Sequence, residues 1–153
     1  MELFVHTQGS GEAEIVTVEE TALVGTLVAH GSGHRVWIDE QAEEVQLDVT
    51  FVEAGIHHHH HVHRGRCHAL QVDVRFETTH KNDEVRSSAT IGQVLSWAVG
   101  KEGFGLPDDQ RPKYVLALPS AKDYLPSDVR LITLVGEDCV AHLDLQPMDH
   151  FGG

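Results

Sequence analysis

The chain has 153 residues, of which 41% are hydrophobic, and a formal net charge of −13 at pH 7. The composition is typical of a folded protein with enough apolar residues for one medium core or two small ones. The negative charge argues against binding to a nucleic-acid backbone, and no segment has the length of a membrane span or the pattern of a secretory leader. We therefore expect a cytoplasmic protein that binds neither nucleic acid nor membrane.

The first half predicts a hairpin followed by a helix. Apolar and polar residues alternate over 2–7 and 13–18, and glycines separate the two segments, so we expect two paired strands. Thr21 is the candidate N-cap of a helix that carries Leu23 on its apolar face and ends at Gly31.

A run of histidines closes the first half. Six of the seven residues from His57 to His63 are histidine, and we interpret the run as the closing strand, with Ile56 and Val62 on one face. An artificial purification tag is the alternative. Histidines two apart on a strand can share a zinc or nickel ion, but an exposed ladder binds metal loosely without a dedicated site. We predict a structural role, no metal site, and weakening of this half when the imidazoles become charged near pH 6.

The second half repeats the same plan with clearer signals. Its predicted elements are a strand over 67–77, a turn at 80–83, a strand over 84–88, a helix capped by Thr90 and stopped by Gly100, a strand over 113–118, a turn at 125–128 and a last strand over 139–145.

The two halves align with one insertion. Leu23 matches Ile91 at an offset of 68 residues, and Asp48 matches Asp128 at an offset of 80 residues. The difference between 80 and 68 predicts a 12-residue insertion in the second copy, which we place at 101–112, where glycines and prolines are frequent. The sequence Arg64-Gly65-Arg66 is a very short linker, so we expect the two copies to be held close together.

The order strand, strand, helix, strand, turn, strand packs one helix across a mixed sheet and resembles the β-grasp fold of ubiquitin. The helix after Thr90, the turn from Leu125 and the strand that leads to Gly152-Gly153 follow the order of a ubiquitin-like protein. Two tandem copies resemble the bacterial two-domain ubiquitin-like modifiers of antiphage operons, which are similar in layout to the interferon-induced tandem modifier. The predicted class is α+β, with two tandem β-grasp domains, each a mixed sheet with one packed helix.

The resemblance implies three parts of the chain: a domain at 1–64, a second domain at 65–148 and a flexible conjugation tail at 149–153. In this arrangement Cys67 and Cys139 open parallel neighbouring strands. We expect two reduced, buried thiols there rather than a disulfide or a metal pair, because cytoplasmic cysteines are usually reduced.

The resemblance also implies a function as a protein modifier. The Gly153 carboxylate is adenylated by an activating enzyme, passed as a thioester to a conjugating enzyme, and joined to target lysines; a partner metalloprotease removes the modifier. The activating enzyme uses ATP and magnesium, and the chain itself needs no cofactor. The arginine usual before ubiquitin-like terminal glycines is missing, so we expect a dedicated activating enzyme that reads Gly152, Phe151 and Asp149.

Two other functions compete with this one. A sulfur carrier also ends in Gly-Gly and is also adenylated, but is usually a single domain. A non-covalent binding module would leave the glycines without a role. An enzyme is the weakest interpretation, because no phosphate loop, dinucleotide fingerprint, nucleophile elbow or zinc-protease motif is present.

Overall fold

A computed structural model describes residues 1–39, 41 and 43–151 of the chain. Within these residues two sheets follow one another along the sequence. The elements in chain order are β1 (Glu2–Thr7), β2 (Ala13–Thr17), a 3₁₀ turn (Val24–Leu27), β3 (Arg35–Ile38), β4 (Glu44–Val45), β5 (His61–Gly65), β6 (Ala69–Phe76), β7 (Thr79–Arg86), α1 (Ile91–Val99), a 3₁₀ turn (Arg111–Lys113), β8 (Tyr114–Ala117), a 3₁₀ turn (Leu131–Leu134), β9 (Val140–Pro147) and a 3₁₀ turn (Met148–His150).

The two sheets have the same topology. The first has the strand order β2-β1-β5-β3-β4 and the second the order β7-β6-β9-β8. In each, the opening and closing strands are parallel neighbours at the centre, β1 with β5 and β6 with β9, and the other pairs are antiparallel. The chain therefore has the predicted fold of two tandem β-grasp domains. We call the elements β1 to β5 the first domain and those from β6 onward the second domain.

The α1 helix forms where the sequence predicts it. The Thr90 side chain accepts a hydrogen bond from the Gln93 backbone, and the Gln93 side chain accepts one from the Thr90 backbone, so the first turn carries a complete capping box. The residues Ile91, Val94 and Ala98 are buried at helical spacing against the second sheet. The helix ends before Gly100, as expected.

The helix of the first domain is much shorter than predicted. It is a single 3₁₀ turn whose N-cap is Leu23, without a capping hydrogen bond from a side chain, so the prediction that Thr21 caps a helix reaching Gly31 is wrong. Leu23 is 48% exposed rather than part of an apolar stripe. The turn has the sequence Val-Gly-Thr-Leu, and glycine and β-branched residues are poor helix formers, so the chain does not continue as an α-helix.

Equivalent hydrogen bonds align the two copies. Ile91 N donates to Val129 O in the second domain, and Val24 N donates to Val49 O in the first. The helix offset is therefore 67 residues, 91 minus 24, rather than the predicted 68, whereas the offset of 80 at the turn is confirmed. The extra residues lie between α1 and β8, as predicted.

The first hairpin of the second domain turns earlier than predicted. The turn lies at Glu77 and Thr78, with Glu77 at a φ of +57°, rather than at 80–83. Strand β7 is an edge strand that is exposed along almost its whole length. Its sequence therefore carries no alternation of apolar and polar residues that would mark where it starts.

Most of the histidine run is a turn rather than a strand. Strand β5 starts only at His61, and the preceding residues form a turn in which His59 has a φ of +66°. The predicted alternation over 57–60 is therefore wrong, and those side chains are exposed or partly exposed. The prediction overlooked that the chain must turn before it can enter the sheet beside β1.

The two cysteines form a disulfide, so the prediction of reduced thiols is wrong. Cys67 and Cys139 are bonded, with their Cα atoms 5.7 Å apart. They precede β6 and β9, and the parallel pairing of those strands brings the two positions together. The prediction relied on the expected compartment, whereas the sheet register determines the distance.

Each domain has its own apolar core. The first packs Leu3, Val5, Val24, Leu27, Val36, Ile38, Phe51, Ile56 and Val62 between the sheet and the 3₁₀ turn. The second packs Leu70, Val72, Val74, Ile91, Val94, Ala98, Leu116, Leu131, Ile132, Val135, Ala141, Leu143 and Leu145 around α1. Among the described residues no helix has the length and hydropathy needed to cross a membrane.

Candidate functional site

The carboxyl-terminal segment leaves the centre of the second sheet. Strand β9 ends at Pro147, and the chain continues into the short 3₁₀ turn that carries Asp149. Asp149 is exposed, so its carboxylate is open to a partner. The predicted conjugation residue Gly153 and its neighbour Gly152 lie outside the described residues, and their role stays a prediction.

Phe151 packs against the body of the second domain. Its ring meets the Tyr124 ring edge-on, with the centroids 5.9 Å apart, and the His150 ring lies 4.9 Å from it. Tyr124 is 41% exposed and Met148 is 42% exposed, so apolar surface remains next to the tail. Of the two described tail residues predicted for recognition, Asp149 faces solvent and Phe151 lies on this aromatic contact.

The outer face of the first sheet is buried against the second domain. Because side chains alternate along a strand, Leu3 and Val5 face the core of the first domain, whereas His6 faces away from it. His6 is nevertheless 5% exposed, and Trp37 and His63 on the same outer face are 1% and 0% exposed. The second domain therefore covers a sheet face that an isolated β-grasp domain would present to solvent.

Gln8 joins the linker to the second domain. Its Nε2 donates to Gly136 O at 2.8 Å, and its Oε1 accepts from the backbone nitrogens of Arg66 at 2.7 Å and Cys67 at 3.3 Å. Next to it, Gly9 N donates to Ile132 O at 3.1 Å. These bonds hold the two domains together, as the short linker predicts.

An ion pair crosses the same interface. Arg130 donates from Nη2 and Nε to Asp39 Oδ2 at 2.6 and 3.1 Å. His63 places Nδ1 3.3 Å from Asp39 Oδ1 and Nε2 2.8 Å from Ser87 Oγ. Because a carboxylate only accepts, Nδ1 donates to Asp39, and in that tautomer Nε2 accepts from the serine hydroxyl.

The ion pair controls the charges around it. Burial raises the pKa of Asp39, but the hydrogen bonds from His63 and Arg130 outweigh it and hold that pKa below its usual range. Burial and the Arg130 charge lower the pKa of His6 to about 4, and the same two causes lower the pKa of His61. His6 and His61 are therefore neutral at pH 7.

The four lysines, all in the second half, differ in how available their amines are. Lys81 Nζ donates to Gly103 O at 2.7 Å and lies 5.9 Å from the centre of the Phe104 ring. Lys101, Lys113 and Lys122 are exposed.

The residues of the domain interface were missed by the sequence analysis. Gln8, Asp39 and Arg130 are single polar residues in loops or at strand ends, so no periodic pattern marks them. The only available signal was the short linker, which indicates that an interface exists but not which residues form it.

The comparisons with known proteins agree with this fold. The sequence profile described as BilA ubiquitin-like domain 2 matches residues 71–148, just over half of the chain. No curated protein matches the chain closely enough to be counted as a relative.

Two solved structures that resemble the chain have low sequence identity to it. The ubiquitin of Caldiarchaeum subterraneum is 17% identical, with a TM-score of 0.41, and the match covers 52% of this chain and 92% of that one. The NMR structure of Arabidopsis thaliana At2g32350 is 11% identical, with a TM-score of 0.39, and the match covers 54% of this chain and 90% of that one. On the profile match, the chain belongs to the family of BilA ubiquitin-like domain 2.

Proposed function

We propose that the chain is a ubiquitin-like protein modifier that is activated at Gly153 and joined to lysine side chains of target proteins. Membership of the family carries this proposal. The profile match ends at residue 148, where the central strand of the second domain has just ended, and the tail at 149–153 follows. The tail is thus attached to a folded domain of the matching type.

The proposed chemistry takes place on the acyl group of Gly153. Its carboxylate attacks the α-phosphorus of ATP and forms an acyl adenylate with release of pyrophosphate. A cysteine thiolate of the activating enzyme displaces AMP and forms a thioester, which is passed to a conjugating enzyme. A lysine amine of the target then attacks the thioester carbonyl, an isopeptide bond forms and the thiol leaves. Glycine suits this role because it has no Cβ to obstruct attack on the carbonyl.

The described part of the tail suggests how an activating enzyme recognises it. Asp149 offers a negative charge, and Phe151 with Tyr124 offers an aromatic surface. We propose that the activating enzyme places a basic residue opposite Asp149 and an apolar pocket opposite Phe151, and that Gly152 lets the chain pass through a narrow channel. ATP and magnesium belong to that enzyme, and the modifier has no catalytic residue of its own.

The remaining partners are proposed from the family resemblance. A conjugating enzyme and a deconjugating metalloprotease complete the cycle, and the biological role is bacterial antiphage defence in the cytoplasm. Since the second domain carries the tail, it docks on the activating enzyme, while the acidic first domain is available to other partners.

A conjugation assay tests the proposal. The full chain is incubated with ATP, magnesium and its activating and conjugating enzymes, and compared with Gly153→Ala and with a deletion of residues 152–153. Gly136→Ala is the matched control, because an added Cβ there would lie 3.8 Å from its nearest neighbour. We expect a ladder of conjugates with the wild type and the control, and none with the deletion.

A ladder formed by the deletion variant would contradict the proposal. Mass spectrometry of the activated chain separates it from a sulfur carrier. A thiocarboxylate at Gly153 would indicate sulfur transfer, whereas an isopeptide bond to lysine would indicate modification of proteins.

A further inference from the structure

Two histidines of the first domain meet on its central strands, at the interface with the second domain. His6 on β1 and His61 on β5 lie on neighbouring parallel strands, and His6 Nε2 is 2.9 Å from His61 Nδ1. The Asp39 carboxylate lies next to them, so that one possible ligand atom from each of the three residues falls within 4.8 Å of the others. The three residues are separated in sequence and are brought together only by the sheet.

The rings are held in place by stacking. The His61 ring stacks on Phe4, with the centroids 4.8 Å apart and the planes 20° apart, and on His6, with the centroids 5.2 Å apart and the planes 18° apart. His6 is 5% exposed. Both imidazoles therefore have little freedom to turn away, which lowers the entropy lost when a ligand binds between them.

We propose that His6, His61 and Asp39 form a binding site for a borderline divalent metal ion such as Zn²⁺. Imidazole and carboxylate are ligands that zinc accepts, and three protein ligands with one open position are a known arrangement for it. Zinc–nitrogen bonds of about 2.0 Å in a tetrahedron place the two nitrogens roughly 3.3 Å apart. The observed 2.9 Å therefore needs a shift of only a few tenths of an ångström at the two histidines.

The protonation of the two histidines favours this ligand set. A metal ion binds neutral imidazole, and a proton must leave any charged ring before coordination. Burial and the Arg130 charge already keep His6 neutral well below pH 7. The ion would replace the proton that the two facing nitrogens now share in their hydrogen bond.

Space for a fourth ligand exists next to the histidines. A cavity of about 400 Å³ is lined by His6, His61, Glu12 and Arg130, among others. A water molecule needs only a small part of that volume, together with polar partners such as these. The open coordination position can therefore be filled by water from this side.

Arg130 both supports and weakens the site. Its two hydrogen bonds go to Oδ2 of Asp39 and fix the carboxylate, as outer-shell partners of metal ligands do. Its positive charge also repels a cation, so we expect weaker binding than in a site made of thiolates. A bound ion would connect β1 and β5 to the residue that holds Arg130, and would thereby tighten the domain interface.

A second histidine cluster provides the internal control. Glu2, His58 and His59 also bring possible ligand atoms within 4.8 Å of one another, but all three residues are exposed. Exposed side chains lose more entropy on binding, so this cluster should bind metal more loosely. The two clusters share no residue and can be changed separately.

Titration with Co²⁺ and Zn²⁺ tests the site in the full chain without an added tag. The variants are His6→Gln and His61→Gln, and His58→Gln with His59→Gln is the matched control. We expect one tight ion per wild-type chain, with the intense visible absorption of tetrahedral Co²⁺. We also expect a loss of affinity of at least about ten-fold in each of the first two variants and none in the control.

Histidine-selective NMR of the wild type provides a readout that does not depend on how the variants fold. Zn²⁺ should shift the imidazole signals of His6 and His61 at the first equivalent, before those of His58 and His59. The proposal is overturned if the wild type takes up no ion, if the first equivalent shifts the other two histidines instead, or if folded variants bind as the wild type does. Failure here leaves the conjugation proposal untouched, because that assay follows Gly153.

Discussion

Arg130 of the second domain and Asp39 of the first form an ion pair across the domain interface, with Nη2 2.6 Å from Oδ2. Both side chains are 16% exposed, and Asp39 also contacts the fully buried His63. Removing one partner of such a pair leaves a charge without compensation in a poorly solvated place. The pair is therefore important for the stability of both domains.

We expect Asp39→Asn to lower the free energy of unfolding by about 3 kcal/mol, because Arg130 would remain buried without its carboxylate. Urea unfolding of the full chain measures the change. Glu44→Gln is the matched control, since the Arg35–Glu44 pair lies on the surface with side chains 57% and 48% exposed. The control should cost less than about 1 kcal/mol. Equal effects of the two substitutions would show that the interface pair contributes nothing special.

Stability should fall with pH on the acid side. The pKa of His6 is about 4 in the folded protein against 6.5 in the unfolded chain, so the unfolded state binds more protons between these values. The contribution is complete above pH 6.5 and is lost as the pH falls toward 4. It amounts to about 1 kcal/mol at pH 5.5 and about 3 kcal/mol at pH 4.

Urea unfolding at several pH values in the presence of a chelator measures this dependence. The groups that face His6, namely Asp39, His61, His63 and Arg130, remain in place in His6→Gln, which should have a smaller slope between pH 6.5 and 4. A wild type and a variant with the same slope would contradict the assignment to His6.

Gly65 has no room for a side chain. A Cβ at this position would lie 2.5 Å from Gln8 Oε1 and 2.7 Å from Gln8 Cβ. Gly65→Ala should therefore displace Gln8 from its bonds to the linker and to Gly136, and destabilise the chain by about 1–3 kcal/mol. Thermal unfolding measures the loss. Gly136→Ala, where the nearest atom would be 3.8 Å away, should melt close to the wild type.

The disulfide should stabilise the chain measurably. Cys67 and Cys139 are 72 residues apart in sequence, so the bond closes a long loop and its loss should cost about 4 kcal/mol. Unfolding with and without a reductant measures this, and the double variant Cys67→Ser with Cys139→Ser should not respond to the reductant. Two titratable thiols in the native protein without reductant would contradict the bond.

Lys81 should be the slowest of the lysines to react. Its amine is held by Gly103 O and the Phe104 ring, whereas Lys122 is exposed. Acylation of the native chain, followed by peptide mass spectrometry, should label Lys122 before Lys81, and the difference should disappear after unfolding. If the chain forms conjugates on itself, the same order should apply to the acceptor lysines.

The second domain could be predicted well because its signals are local. The capping box at Thr90 and Gln93 and the apolar stripe of α1 lie within nine residues, so the sequence there determines the structure almost alone. The turn at Glu77 was misplaced because an edge strand exposed on both faces has no periodic pattern.

The first domain and the interface depend on distant residues. The Val-Gly-Thr-Leu turn satisfies two backbone nitrogens with carbonyls of residues 47 and 49 and needs no further helix, which no local pattern indicates. Asp39 and Arg130 are 91 residues apart and meet only because one domain covers the other. The tail residue Phe151 could be chosen from the sequence, but its contact with Tyr124 could not.

The covered outer face of the first sheet has a consequence for how the chain unfolds and can be dissected. A fragment that ends at Arg64 would expose Trp37 and His63 to water and lose the carbonyls and amides that now satisfy its edge. The duplicated chain thus behaves as one cooperative body, and neither copy can be removed, exchanged or tethered elsewhere without rebuilding the surface it leaves behind.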